Sequence, residues 1–248
     1  MKNTKVINPM LLNSSSPILE LDSVSAGYGA VPVIHDVDLR IIAGEVVALL
    51  GANGAGKTTT ILTMAGEVRP RSGVVRWEGT PINTPLHRRA RAGLRLITEE
   101  RSIFMSLTVA DNLRLGHRKI DECLNVFPEL APLMKRKAGL LSGGEQQMLA
   151  VARALGGGCR VLLADELSLG LAPLAVNRLL EALRAIADSG AAVVLVEQNL
   201  PRAMEVADRA YVMQRGRVVM EGTKAMIQAR HSEVESLYLS MDPGEVAV

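Results

Sequence analysis

Residues 51–58 have side chains suited to binding phosphate groups. They read Gly51, Ala52, Asn53, Gly54, Ala55, Gly56, Lys57 and Thr58, which matches the pattern G-x-x-x-x-G-K-[ST]. Small residues allow successive backbone N–H groups to curve around phosphate oxygens. Lys57 would reach the terminal phosphates of ATP, the Thr58 hydroxyl would bind Mg²⁺, and Thr59 joins the same nucleotide-binding set. A plain glycine-rich turn is the alternative, but average composition gives such a match by chance in about one chain in a hundred.

Two adjacent carboxylates, Asp165 and Glu166, follow an aliphatic run at residues 161–164. Parallel α/β sheets bind ligands at the carboxyl ends of their strands, so this pair would lie beside the phosphate loop. Asp165 would hold Mg²⁺, directly or through water, and Glu166 would act as general base on the attacking water. Alone, an apolar run ending in Asp-Glu is mostly structural. Together with the phosphate loop it predicts a catalytic pair.

A third motif lies at residues 141–147, Leu-Ser-Gly-Gly-Glu-Gln-Gln. Ser142 and Glu145 have the spacing of a capping box at the start of a helix. A capping box does not require Gly143 and Gly144, which instead would expose backbone N–H groups to an anion. The motif therefore predicts a second phosphate contact.

The elements that must position these motifs follow from apolar patterns. Runs at 46–50, 161–164 and 191–196 are continuously apolar, which is typical of central strands in a parallel sheet covered by helices. Residues 175–187 have helical spacing and precede Gly190, which predicts a helix that crosses between the last two of these strands. Further β-rich segments lie at residues 18–24, 33–42 and 73–78.

The middle of the chain, residues 106–156, has helical patterns and no convincing buried strand, which predicts a helical lobe inserted into the sheet domain. Arg88, Arg89 and Arg91 form a small basic cluster, for which a solvated helix face is the favoured interpretation. Residues 1–16 have no sustained periodicity and predict a flexible leader.

Composition limits the class of protein. A hydrophobic fraction of 48% with an aromatic fraction of 2% predicts a sizeable aliphatic core, and a net charge of +2 does not favour nucleic acid as a partner. Cys123 and Cys159 lack the spacing of a disulfide framework or zinc site, which favours a reducing compartment. The apolar runs are far shorter than the roughly 20 residues of a membrane-spanning helix. We therefore expect a cytoplasmic protein.

Taken in order, the three motifs resemble the ATP-binding subunits of ABC transporters over roughly residues 18–239. The resemblance implies an α/β P-loop NTPase fold of the ABC ATPase type. Such a fold has a mostly parallel central sheet, an antiparallel β subdomain and an inserted helical subdomain, here at about residues 100–157. An ATPase domain at 17–241 and a C-terminal tail at 242–248 would follow, together with ATP hydrolysis coupled to transmembrane transport.

The resemblance also implies roles for other residues. Two subunits of the family pair head to tail, so that Ser142, Gly143, Gly144 and Glu145 of one would complete the ATP site of the other. Tyr28 stands where the family stacks an aromatic ring on adenine.

Two residues near the active site differ from the general family pattern. Glu99 stands at the position of the usual Q-loop glutamine, as an implied Mg²⁺ ligand, and Gln198 stands at the position of the usual switch histidine, beside Glu166 and Lys57 in catalysis. Unlike histidine, Gln198 has no proton that titrates near neutral pH.

Segments 141–150, 168–173 and 196–199 resemble the smaller ATPase subunit of branched-chain amino acid importers. This implies pairing with a second ATPase subunit, identical or not, and with transmembrane permease subunits that receive cargo from an extracytoplasmic substrate-binding protein. The chain would then lie on the inner face of the membrane. Residues 103–105, Ile-Phe-Met, are the candidate permease contact, with ordinary core as the alternative.

Some residues depart from the family pattern. Leu167 and Thr98 replace prolines, and Glu100 replaces a glycine, which would loosen the edges of the active site. Leu171 replaces the usual D-loop aspartate. Alternatives therefore stay open: an ATPase subunit for urea or amide import, a lipid-moving system, a nontransport ABC ATPase acting on nucleic acid or ribosomes, or a module that senses ATP without turnover.

Overall fold

The computed structural model describes residues 16–100, 102–116, 120–155 and 158–239. The predicted leader lies outside these residues except for Ser16, and the predicted tail at 242–248 lies entirely outside them. Within these ranges the chain forms two β-sheets connected and covered by helices. None of the helices found there is both long and apolar enough to cross a bilayer.

The larger sheet carries the phosphate loop. Its described strands are β3 (Val46–Leu50), β6 (Leu94–Ile97), β7 (Val161–Asp165), β8 (Ala192–Glu197), β9 (Arg209–Gln214) and β10 (Arg217–Thr223). They lie in the order β10-β9-β3-β8-β7-β6, parallel except for β10 at one edge. Every residue of β3, β7 and β8 is buried, because helices pack on one face of this sheet, and a second sheet together with the helix after β3 packs on the other. The prediction of a mostly parallel central sheet is confirmed.

The smaller sheet is antiparallel, also as predicted. It contains β1 (Leu19–Tyr28), β2 (Val31–Ile41), β4 (Pro70–Trp77) and the short β5 (Thr80–Pro81), in the order β2-β1-β4-β5. Its inner face packs against one face of the larger sheet and against the helix that follows β3. The β1–β2 hairpin thereby lies next to the phosphate loop.

The helices are α1 (Lys57–Ala65), α2 (Leu86–Arg91), α3 (Val109–Leu115), α4 (Ile120–Val126), α5 (Gly143–Ala154), α6 (Pro173–Asp188), α7 (Leu200–Val206), α8 (Lys224–Ala229) and α9 (His231–Leu239). The predicted crossover helix is α6, which begins at Pro173 and ends before Gly190 with φ 99°. Helices α3, α4 and α5 and two short 3₁₀ turns form the middle of the chain. No strand longer than a single bridge occurs in the described part of residues 106–156, as expected.

Two features of the fold differ from the sequence prediction. Strands β6, β9 and β10 were not predicted, because each mixes apolar residues with arginine and shows no continuous apolar run. The prediction that the arginine cluster lies on a solvated helix face is wrong for Arg89, which is buried. Its guanidinium donates to the carbonyl oxygens of Thr63 (3.0 Å) and Met64 (2.6 Å) at the end of α1. Burial lowers the pKa of Arg89 to about 10.

Candidate functional site

The register of the larger sheet brings the predicted motifs together. Leu50, the last residue of β3, pairs with Glu197 at the end of β8, and Asp165 at the end of β7 pairs with Val196. The three strands therefore end side by side. The loops that leave them carry the phosphate-binding residues, the acidic pair and Gln198 at one edge.

Glycines shape the phosphate loop. Gly51, Gly54 and Gly56 have φ angles of 151°, 78° and 100°, which residues other than glycine rarely adopt. A Cβ atom on Gly51 would lie 2.5 Å from the Met213 carbonyl oxygen, and one on Gly56 would lie 2.8 Å from Ile34 Cγ2. Gly56 also caps α1 without a side-chain hydrogen bond to the first-turn amides. These amides suit an anion at the helix start.

Lys57 lies inside the loop. Only 4% of its surface is exposed, and its Nζ donates to the carbonyl oxygens of Gly51 (2.9 Å) and Ala52 (3.0 Å). The Glu166 carboxylate is 3.6 Å from the same nitrogen. Burial lowers the pKa of Lys57, although the charges of Glu166 and Asp165 oppose this shift. The ammonium group is thus a buried charge held between the loop backbone and Glu166.

Asp165 and Thr58 fit a Mg²⁺ site that also uses nucleotide oxygens. Asp165 is 4% exposed, and its Oδ1 has no hydrogen-bond partner. Burial raises the pKa of Asp165, while the Thr58 hydroxyl facing the carboxylate lowers it. Glu99, an exposed residue after β6, contributes to the higher pKa through its charge. One or two carboxylates and a hydroxyl are a typical Mg²⁺ set when phosphates complete the shell. No trio of His, Cys, Asp and Glu suitable for a metal occurs in the described residues.

Glu166 is held in an unusual backbone conformation. Its φ of 47° is left-handed, and its N–H donates to the Val196 carbonyl oxygen (3.1 Å). Gln198 Nε2 donates to Glu166 Oε1 at 2.8 Å. Residues in this region cost about 1–3 kcal/mol unless their surroundings fix them, and such strain is frequent at functional sites. The carboxylate therefore has a fixed direction, toward Lys57.

The remaining predicted residues surround this cluster. In the loop, Ala55 and Thr59 are buried, Ala52 is half-buried and Asn53 is exposed. Tyr28 lies at the exposed end of β1, in the hairpin whose Ile34 borders Gly56. Leu167, where a looser edge was expected, is buried in the core.

The glycine-rich motif at 142–145 is separate from the cluster. Ser142 caps α5 as predicted: its hydroxyl accepts from Glu145 N–H (3.3 Å), and its own N–H donates to Glu145 Oε2 (2.6 Å). Gly144 lies against α6, where a Cβ atom would approach Ala175 Cβ to 2.8 Å. Across the described chain, no hydrogen bond or ion pair joins these four residues to Lys57, Asp165 or Glu166.

Sequence analysis gave no role to Glu197, a buried carboxylate between Val196 and Gln198. It is 4% exposed, and burial raises its pKa while Ser168, which faces it, lowers it. The only sequence signal is an acidic residue directly after an aliphatic run, and Asp165 and Glu166 give the same signal. Tyr238, in α9, was also missed. Its hydroxyl is buried near the Gly51 backbone amide.

Comparisons with known proteins identify the family of this chain. Residues 34–168 match the protein family described as ABC transporter. The chain is 40% identical to BraG, a high-affinity branched-chain amino acid transport ATP-binding protein of Pseudomonas aeruginosa, over 90% of this chain and 99% of BraG. It is 35% identical to LivF, a probable branched-chain amino acid transport ATP-binding protein of Archaeoglobus fulgidus, with the same coverage.

More distant likenesses point in the same direction. LptB, the lipopolysaccharide export system ATP-binding protein of Haemophilus influenzae, is 31% identical over 90% of this chain and 97% of its own length. A solved structure described as the ATP-binding subunit of an ABC transporter has a TM-score of 0.76 at 28% identity, covering 90% of this chain and 98% of its own. Since the family spans more than half of the sequence and the relatives match nine tenths of it, this chain belongs to the ABC transporter family and is an ATP-hydrolysing subunit that energises transport.

Proposed function

We propose that this chain energises the import of branched-chain amino acids. The observation that carries the cargo assignment is the 40% identity to BraG over 99% of that protein, together with the likeness to LivF. LptB relatives, at 31–33% identity, support a lipid-moving system as a second candidate. The identity to BraG favours the amino acid importer. We also infer that residues 17–241 form the ATPase domain, with the helical subdomain at about 100–157.

The nucleotide would bind along the phosphate loop. The amides of residues 51–58 would surround its β- and γ-phosphates, with Lys57 exchanging its carbonyl partners for phosphate oxygens and Thr59 extending the contacts into α1. Tyr28, exposed beside the loop, would stack on adenine. Thr58, Asp165 and Glu99 would hold Mg²⁺, which when bound neutralises charge on the phosphates.

Hydrolysis would depend on Glu166, Gln198 and Lys57. Glu166 would accept a proton from the attacking water, because its carboxylate lies beside Lys57 and is held there by Gln198. Gln198 would keep one Glu166 oxygen directed at that water. Lys57 would stabilise the negative charge that develops on the γ-phosphate oxygens.

A second ATPase subunit would complete each site. Ser142, Gly143, Gly144 and Glu145 lie at the start of α5 and share no hydrogen bond or ion pair with Lys57, Asp165 or Glu166 among the described residues. In a head-to-tail pair they would contact the γ-phosphate held by the partner. ATP would then bridge the two subunits, and its hydrolysis would release them.

The permease would bind at a docking patch, which we define as Phe104, Met105 and Leu140. These three apolar side chains are about half exposed or more. Ile103, in contrast, is partly buried against the core, so the core alternative fits Ile103 alone. Through this patch the chain would be held at the inner face of the membrane, with a substrate-binding protein on the opposite side.

The test is ATP turnover and amino acid uptake by the assembled transporter, with parental chain and with Glu166→Gln. We expect the substitution to lower kcat by at least about a hundredfold while ATP still binds. Equal rates would exclude Glu166 as the base. The complex with Glu166→Gln should no longer take up leucine, isoleucine or valine. A parental complex that hydrolyses ATP but transports none of these amino acids would refute the proposed cargo.

A further inference from the structure

Arg153 lies near the C-terminal end of α5, outside the proposed ATP site. Its guanidinium hydrogen-bonds to the Ser102 carbonyl oxygen and lies 5.3 Å from the centre of the Phe104 ring. Arg153 therefore contacts the segment that leads into the docking patch. The same helix begins at Ser142, the cap of the glycine-rich motif. One helix thus has the proposed partner-facing ATP contact at one end and the docking segment at the other.

A second contact ties the docking segment to the first turn of α5. Gln146 Nε2 donates to the Ala138 carbonyl oxygen at 3.1 Å and lies 3.8 Å from Met105 Sδ. The Gly139 N–H donates to the Met105 carbonyl oxygen at 2.9 Å. Residues 102–105 are therefore held along α5 from its last turn to its first. A displacement of the docking segment would carry the helix with it.

The backbone of the segment is fixed independently of Arg153. Asn112, fully buried in α3, accepts from Phe104 N–H at 2.9 Å and donates to the Phe104 carbonyl oxygen at 3.0 Å. Phe104 thus stays in place when its ring loses a partner. The Phe104 backbone therefore has two hydrogen bonds that do not involve Arg153.

Arg153 is also an unfavourable choice for stability alone. Its Nη1 is buried without a hydrogen-bond partner, and burial lowers the pKa of its guanidinium. An unsatisfied buried donor costs free energy that an apolar residue of similar length would avoid. Such a group in a native structure calls for an explanation.

We propose that Arg153 couples permease docking to the glycine-rich motif, acting as a positioning residue that links the docking segment to α5. The inference rests on the proposed function, in which the patch binds the permease and residues 142–145 contact the partner's ATP. When the permease shifts Phe104 and Ser102, Arg153 transmits the shift to α5, and the motif moves toward or away from the partner's nucleotide. Arg153 touches no nucleotide itself.

The experiment compares ATP hydrolysis by the ATPase subunits alone with that of the full transporter complex. Arg153→Met keeps the aliphatic length but removes both contacts. We expect it to lower the permease-dependent stimulation of kcat by about fivefold or more, with basal kcat, KM for ATP and permease association within about twofold of the parent. Arg153→Lys, which keeps the charge but not the planar fork, should give a smaller loss. Arg114→Ala, on an exposed arginine of α3, is the matched control and should behave as the parent.

Stability provides the readout that separates coupling from a structural role. Because Arg153→Met removes a buried unpaired donor, its melting temperature should equal or exceed that of the parent. Parental stimulation in Arg153→Met would overturn the proposal, and so would a loss of stimulation matched by an equal loss of permease association. If Arg153→Met does not fold, Arg153→Lys decides the question. Parental stimulation of ATP hydrolysis in Arg153→Lys would then overturn the proposed coupling role.

Phe104→Ala distinguishes failure of this inference from failure of the docking proposal. Loss of permease association in Phe104→Ala, with full stimulation in Arg153→Met, would refute only the role of Arg153. Full association in Phe104→Ala would refute the docking patch itself.

Discussion

Gln198 Nε2 donates to Glu166 Oε1 at 2.8 Å, so a neutral amide directs the proposed catalytic carboxylate. Glu166 has a left-handed backbone and its N–H bonds to β8, the strand that leads to Gln198. Both ends of the contact are thus attached to one strand. Because an amide does not titrate, acid does not disrupt this contact by charging Gln198.

Replacing Gln198 with histidine should make hydrolysis sensitive to pH near neutrality. An imidazole with its ordinary pKa of about 6.5 would become charged as pH falls and would draw the Glu166 carboxylate into an ion pair, which lowers its basicity. We expect kcat of Gln198→His to fall about tenfold below pH 6.5 relative to its value at pH 8, beyond any change in the parent. The measurement is a kcat–pH profile of both proteins. Gln228→His, exposed on α8, serves as control, and identical profiles for parent and Gln198→His would contradict the prediction.

Lys57→Ala should weaken ATP binding. Lys57 Nζ is buried and held by two loop carbonyl oxygens, which phosphate oxygens would replace. Loss of a buried charge-assisted contact costs about 1.5–3 kcal/mol, which predicts a rise in Kd of at least about tenfold. Titration calorimetry with ATP and Mg²⁺ measures it. Lys224→Ala, on a half-buried lysine of α8 whose Nζ donates to the Glu205 carbonyl oxygen, should leave the Kd unchanged. A parental Kd for Lys57→Ala would refute the assignment of the loop.

The site was easier to predict from sequence than the sheet that supports it. Residues 51–58 and the pair Asp165 and Glu166 combine residue type with spacing, and their chemistry restricts both. Strands β9 and β10 carry a weaker signal. Their turn, Arg215-Gly216, has φ angles of 47° and 74° and is typical of a two-residue hairpin, but the flanking arginines interrupt the apolar pattern.

Buried polar residues could not be predicted because their partners are distant in sequence. Arg89 is satisfied by carbonyl oxygens at the end of α1, about 25 residues earlier. Its neighbours Arg88 and Arg91 have the same residue type and a different environment. Only tertiary packing distinguishes them, since helix periodicity in a six-residue helix is too short to define a face.

Asp165→Asn should stabilise the nucleotide-free protein and weaken its use of Mg²⁺. Burial raises the pKa of Asp165, so the folded state binds this proton more tightly than the unfolded state does. The free energy of unfolding therefore falls as pH rises from the pKa of an unfolded Asp to the higher pKa of Asp165 in the folded protein. Above that higher pKa the whole destabilising effect of the buried charge is present. At pH 7.5 the uncharged asparagine should therefore raise the free energy of unfolding.

Urea unfolding at pH 7.5 and pH 5 measures this gain, which should be larger at pH 7.5. In the same variant, ATP affinity should no longer increase when Mg²⁺ is added. Asp188→Asn, an exposed carboxylate at the end of α6, should change neither quantity appreciably. Destabilisation of Asp165→Asn would show that the carboxylate is satisfied in the folded protein.

Phe104→Ala should weaken permease association without affecting nucleotide binding. The ring is 53% exposed, while the Phe104 backbone is fixed by Asn112, so truncation leaves the segment folded. The lost contact with Arg153 costs at most about 1 kcal/mol of stability. Copurification of the permease and the ATP Kd are the two measurements. Leu115→Ala removes an exposed apolar side chain of α3 outside the patch and should retain the permease, whereas a raised Kd for Phe104→Ala would reject the docking role.

Tyr238→Phe should stabilise the protein, which is unusual for a change at a buried tyrosine. The Tyr238 hydroxyl is buried and faces the Gly51 amide without hydrogen-bonding geometry, and burial raises its pKa to about 12, so it stays protonated. Removing an unsatisfied hydroxyl should add about 1 kcal/mol to the free energy of unfolding.

Tyr211→Phe is the matched control for this prediction. Its hydroxyl accepts from Arg40 N–H at 3.1 Å and from Arg209 Nη1 at 3.2 Å, so its removal leaves two donors without their acceptor. Tyr211→Phe should therefore lose about 1–2 kcal/mol in the same urea experiment. Opposite signs for two buried tyrosines would show that hydrogen-bond satisfaction, and not burial, decides the cost. An equal loss in both variants would mean that Tyr238 has a polar partner in solution, for which the Gly51 amide is the nearest candidate.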